Sequence, residues 1–111
     1  MEKMIRVKLA EEIAFKEKDK ISHLKFPDNR EKVMSFFRSK IMEEAIEVID
    51  ANNKENLIEE ICDLIQVLKD YAFVNDICFS DVTANEVIKL SKKGGFIESI
   101  SGGYSIAVLD K

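Results

Sequence analysis

The chain is poor in the residues that metal-thiolate, secreted and membrane proteins rely on. Its 111 residues hold one histidine, His23, and two cysteines, Cys62 and Cys78, which lie outside any zinc-ligand spacing. A disulfide framework and a His/Cys metal site are therefore not expected, and the cysteines read as reduced packing residues. No apolar run approaches the about 20 residues of a membrane helix, and the start lacks the basic, apolar and small-residue regions of a signal peptide. A cytoplasmic protein is expected. Basic residues are outnumbered 17 to 21, for a net charge of −4, which argues against a broad surface for DNA or RNA backbones. A small polyanionic ligand remains compatible, because a bound divalent cation and a few lysines can invert the local sign. Internal repeats, low-complexity tracts and interdomain linkers are also missing. With 46% hydrophobic residues, the chain predicts one core and one domain, 1–111.

What the sequence does have is two acidic clusters on two neighbouring helical patterns. Apolar residues recur three and four apart at Phe37, Ile41, Ala45 and Val48, and again at Leu57, Ile61, Leu64 and Leu68. Asn52-Asn53-Lys54 interrupts them. At about 100° per residue, the first helical wheel places Glu44 inside the apolar arc, between Val33 and Phe37, with Glu47 and Lys40 at its edge. Glu43 and Asp50 fall with the solvated residues. On the second wheel Glu60 lies between Val67 and Tyr71, Asp63 is just outside the arc, and Glu59 and Asp70 face water.

A carboxylate set into an apolar face is costly unless it is paired or holds a metal. In an antiparallel hairpin turning at Asn52, Glu44 and Glu60 are level. Glu47 is then one turn nearer the loop and Asp63 one turn farther, so the four carboxylates span roughly 9 Å. Such a set can converge on one or two hard cations, and oxygen-only ligation points to Mg²⁺ or Mn²⁺. The competing interpretation is a solvated helix face with i, i+4 pairs such as Lys40 to Glu44.

Other stretches complete an all-α plan. Ile5, Leu9 and Ile13, with Ala10 and Ala14 beside them, predict a first amphipathic helix from Glu2 to about Lys18. Ser22 to Phe26 reads as a loop, with His23 more a surface or packing residue than a substrate contact. Asp28-x-x-Glu31 reads as a capping box opening the second helix, which runs to about Ala51. Phe36 lies off-centre on that helix, where it suits a subunit contact. Val74 to Phe79 is a connection, Ser80 a plausible N-cap, and Gly94 the stop of a helix through Lys92 or Lys93. Tyr104, Ile106 and Val108 alternate beyond Gly102-Gly103, predicting a C-terminal β-hairpin.

Glu43-Glu44-x-x-Glu47 followed by Glu60-x-x-Asp63 resembles the signature of the all-α nucleoside triphosphate pyrophosphohydrolases, the MazG-like and phosphoribosyl-ATP pyrophosphohydrolase-like group. The likeness runs from about Val33 to Phe96, because Lys89-x-x-Lys92-Lys93-Gly94-Gly95-Phe96 is similar to that group's basic run and Arg-Gly-Gly-Phe ending, with Lys93 where arginine is usual. The resemblance implies an antiparallel bundle of about four helices, completed by a second subunit in a homodimer or homotetramer. It also implies hydrolysis of a nucleotide between the α and β phosphates, releasing a monophosphate and pyrophosphate, in the manner of an enzyme that cleans the nucleotide pool. Glu44, Glu47, Glu60 and Asp63 would hold Mg²⁺, with Mn²⁺ a substitute. Lys40, Lys89, Lys92 and Lys93 would bind phosphates, and Glu47 or Glu43 would orient the attacking water. The lysines at 89, 92 and 93 equally suit the dipole of a helix C-terminus. A silent nucleotide-binding regulator and a helical interaction module are the alternatives the residues leave open.

Overall fold

The computed structural model describes residues 2–16, 21–98 and 100–109. Four α-helices appear in chain order: α1 (Val7–Lys16), α2 (Arg30–Asp50), α3 (Lys54–Val74) and α4 (Phe79–Lys93), with a 3-10 turn at Phe26–Asp28 before α2. No strand forms among the described residues. The first helix begins at Val7 and not at Glu2 as its apolar spacing suggested, and its predicted extension to Lys18 lies outside the described residues. The chain divides into two units, Met1–Tyr71 and Ala72–Lys111.

In the first unit α2 and α3 are joined by Ala51–Asn53. Ala51 turns to extended backbone (φ −59°, ψ 132°) and ends α2. Asn53 then caps α3, its Oδ1 accepting the Asn56 N–H at 2.8 Å. So short a link sends the second helix back along the first. The Phe37 and Tyr71 rings meet at 5.9 Å between centroids, far from that turn. Ala10, Val33, Met34, Phe37 and Val67 are buried here.

The start of α2 differs from the predicted capping box. Pro27, with its fixed φ, opens the 3-10 turn, and the amides of Asp28 and Asn29 both donate to the Lys25 carbonyl at 3.2 and 3.3 Å. Asn29 is therefore the non-helical residue, and its side chain accepts the Lys32 N–H at 3.4 Å. Arg30, the first residue of α2, stacks its guanidinium 4.7 Å from the Phe26 ring centre.

In the second unit the end of α3 is closed by two bonds, Ile77 N–H to Ala72 O at 2.9 Å and Asp76 N–H to Phe73 O at 3.1 Å. That is the Schellman arrangement, with Asp76 in the left-handed position at φ 60°. Helix α4 begins at Phe79 with Cys78 before it, not with Ser80 as its cap. The Ser80 hydroxyl instead meets the Cys78 Sγ at 2.9 Å. Gly94, at φ 73°, ends α4 and donates to Leu90 O at 2.9 Å. Both cysteines are free and exposed, so Cys62 is not the packing residue its wheel position suggested.

The predicted C-terminal β-hairpin is reduced to a single antiparallel bridge between Ile97 and Tyr104. Two causes are visible. Glu98 takes local amides for its side chain, accepting from Ile100 N–H at 3.0 Å and Ser101 N–H at 2.7 Å, so the backbone there closes a turn and not a ladder. Tyr104, Ile106 and Val108 are all largely exposed, and an unburied two-stranded hairpin is marginal in water.

Candidate metal centre

The antiparallel return of α3 beside α2 gathers three carboxylates. One oxygen each from Glu44, Glu47 and Glu60 lies within 4.8 Å of the others. Glu44 and Glu60 stand across the hairpin from each other as the level register requires, and Glu47 is one turn along α2.

The three differ in exposure, Glu44 being buried, Glu60 half-buried and Glu47 exposed, so the cluster runs from the helix interior out to solvent. Glu44 is 4% exposed, the one buried charged residue among those described. Its Oε1 accepts the Lys40 ammonium at 3.0 Å. Its Oε2 is buried without a hydrogen-bond partner, and so is Oε2 of Glu60. A buried, unpartnered carboxylate oxygen costs on the order of 1–3 kcal/mol or more, so two of them beside a third carboxylate form a site that lacks positive charge. Glu47 reports the same strain. A hydrogen bond with the Glu60 carboxyl, partial desolvation and the negative charges of Glu60 and Glu43 hold its carboxyl above the ordinary range, against the pull of Lys40.

The donor set is carboxylate oxygen throughout, which suits a hard divalent cation. The side chains therefore fit a metal on two independent grounds, the donor chemistry and the orphaned oxygens.

The fourth acid of the sequence motif behaves differently. Asp63 accepts both Nε and Nη2 of Arg6 on Oδ1, at 3.0 and 2.5 Å. Glu43, expected to face water, is bound by Lys40 at 3.4 Å and by Lys3 at 3.5 Å. Lys40 thus serves two carboxylates of its own helix. Burial, the largest single influence on it, depresses the ammonium, but the hydrogen bonds and charges of Glu44 and Glu43 together outweigh that and raise it above its usual value. Lys3 and Arg6 escaped the sequence reading because nothing local marks them, Arg6 meeting its partner across 57 residues. Lys89, Lys92 and Lys93 are exposed in the last turns of α4, in the second unit.

The described fold is all-α, with its carboxylate cluster on a two-helix hairpin. Residues 14–89, more than half of the chain, match the phosphoribosyl-ATP pyrophosphohydrolase family, and the chain belongs to that family, within the MazG-like nucleoside triphosphate pyrophosphohydrolases. These are hydrolases that act on phosphoanhydride bonds. No curated protein and no solved structure gives a match. No helix among the described residues is long and apolar enough to cross a membrane.

Proposed function

We propose that this protein hydrolyses a nucleoside triphosphate, or a related nucleotide, between its α and β phosphates, releasing a monophosphate and pyrophosphate in a Mg²⁺-dependent reaction. One observation carries the reading most: the buried Oε2 atoms of Glu44 and Glu60 have no partner, beside a third carboxylate at Glu47. Mg²⁺, or Mn²⁺ in its place, would be held by Glu44, Glu47, Glu60 and Asp63, and would supply positive charge to phosphate oxygens as the anhydride bond breaks.

Around that centre the protein's own groups divide the remaining work. Lys40 fixes Oε1 of Glu44 and leaves Oε2 for the cation, while its charge offsets that of the substrate. Glu47 or Glu43 orients the attacking water. Lys89, Lys92 and Lys93 contribute phosphate contacts, and residues 1–111 act as one pyrophosphohydrolase domain.

The active form is a homodimer or homotetramer. Support comes from apolar side chains that α2 and α3 leave uncovered, among them Ile46 at 54%, Ile49 at 79%, Ile61 at 41% and Ile65 at 44% exposure. Exposed apolar stripes of this kind mark subunit surfaces. The direct test is pyrophosphate release from a panel of ribo- and deoxynucleotides with Mg²⁺ present or chelated. Metal-dependent release from at least one nucleotide is expected, and no release from any would refute the reading.

A further inference from the structure

Two cations from the N-terminal segment reach the acids that border the carboxylate cluster. Arg6 binds Asp63, one helical turn beyond Glu60 on α3, and Lys3 binds Glu43, next to Glu44 on α2. We infer that Arg6 is a phosphate-binding residue of the site, held on Asp63 until substrate arrives. The inference rests on the pyrophosphohydrolase reading above.

Stability does not account for this arginine. Its side chain is 55% exposed and that of Asp63 is 37% exposed, and ion pairs so open to solvent add little to folding. Chemistry accounts for it better. Breaking a phosphoanhydride bond leaves negative charge on pyrophosphate, and cations on the open side of the site must receive it. Lys40 adds charge from within the site but does not reach its open side, because its side chain is 18% exposed and already bound to both Glu43 and Glu44. Arg6 has more N–H donors than Asp63 occupies, in the planar fork that matches a phosphate.

The position of Arg6 is also fixed. Its carbonyl accepts the Ala10 N–H at 2.9 Å, the bond that starts α1, and Ala10 is buried. The guanidinium is therefore presented from a defined origin. Asp63 could hold either Arg6 or, with the neighbouring glutamates, a cation, and in the second case the Arg6 guanidinium would be free to meet the incoming phosphates. Lys3 stands in the same relation to Glu43.

Calorimetric titration of pyrophosphate into the full chain at saturating Mg²⁺ tests this without knowledge of the base. Arg6→Gln should weaken pyrophosphate binding about tenfold. Its affinity for Mg²⁺ alone should be unchanged or higher, since Asp63 loses a competing partner. Arg6→Lys, which keeps the ion pair and the fold, should weaken pyrophosphate binding several-fold through loss of the fork. Unchanged pyrophosphate affinity in either variant would overturn the inference, as would an equal loss of Mg²⁺ and pyrophosphate affinity in Arg6→Gln, the mark of a group that only orients Asp63. Wild-type protein that binds neither Mg²⁺ nor pyrophosphate would overturn the pyrophosphohydrolase reading itself, whereas wild-type binding retained by the variants removes only Arg6.

Discussion

The hairpin of α2 and α3 and the C-terminal tail carry equally plain sequence signals, yet only the hairpin becomes a built structure. Both have alternating or periodic apolar residues and a turn, Asn52-Asn53 in one and Gly102-Gly103 in the other. In the hairpin, each helix makes its own backbone bonds and then buries Val33, Phe37 and Val67, so side-chain register is fixed over many turns. In the tail the backbone bonds of one segment depend on the other, and no burial rewards their pairing. The lesson is that a site can be held to within a few ångströms only where local structure and burial agree. Polar groups can then be kept in an unfavourable state, as at Glu44.

The largest expected effect would break the acidic end of this comparison. Glu44→Gln and Glu60→Gln should each lower Mg²⁺-dependent hydrolysis by at least about 100-fold, with the melting temperature of the metal-free protein unchanged or raised, because a repelling charge is removed. Steady-state kinetics and a thermal melt on the same samples decide it, and near-wild-type turnover would contradict the metal assignment. Glu59→Gln, on the exposed side of α3, should have no effect in either assay.

Next in size is the response to metal. Mg²⁺ at 100 times its dissociation constant should stabilise the wild-type protein by about 2.7 kcal/mol, through linkage of binding to folding. Differential scanning calorimetry with and without chelator measures this. Complete indifference to chelator, or a preference for zinc, would count against the site.

A smaller effect sharpens the role of the turn. Asn53→Ala removes the cap of α3 and should cost about 1 kcal/mol in urea unfolding. Gly102→Ala in the tail makes the contrast. Gly102 sits at φ 72° with open space around it, so an alanine there is strained in the turn. The loss should stay in the tail, detected by amide exchange near Glu98 and Gly102, with the global urea midpoint unmoved. A midpoint shift as large as that of Asn53→Ala would mean that the tail is coupled to a packed surface.

The lysines at the end of α4 are expected to affect substrate binding and not folding. Lys89→Ala and Lys92→Ala should each raise the KM for a nucleoside triphosphate by the equivalent of about 1–2 kcal/mol if they bind phosphate. If they only complement the helix dipole, stability falls by about 0.3–1 kcal/mol and KM holds.

Much of the hairpin was legible because its determinants are periodic. The wheel set Glu44 and Glu60 within apolar arcs, and counting from Asn52 made them level, which is how their carboxylates meet. Asp63 was legible as an acid of the motif, but its arginine was not, because a contact between Arg6 and Asp63 depends on where the N-terminal segment runs. Capping failed by one or two residues at Asn29 and Cys78, where Pro27 and the Cys78–Ser80 contact shift the first turn. Cys62 was misplaced for a physical reason as well: the apolar arc of α3 is wider than its partner helix covers.

All of the proposed chemistry depends on the α2–α3 carboxylates binding a divalent cation through Glu44 and Glu60. Calorimetric titration of Mn²⁺ into the wild-type protein and into Glu60→Gln tests it most directly. Saturable binding by the wild type is expected, with affinity at least about tenfold weaker in the variant. Equal affinity in the two proteins, or no binding by a folded wild type, would contradict it.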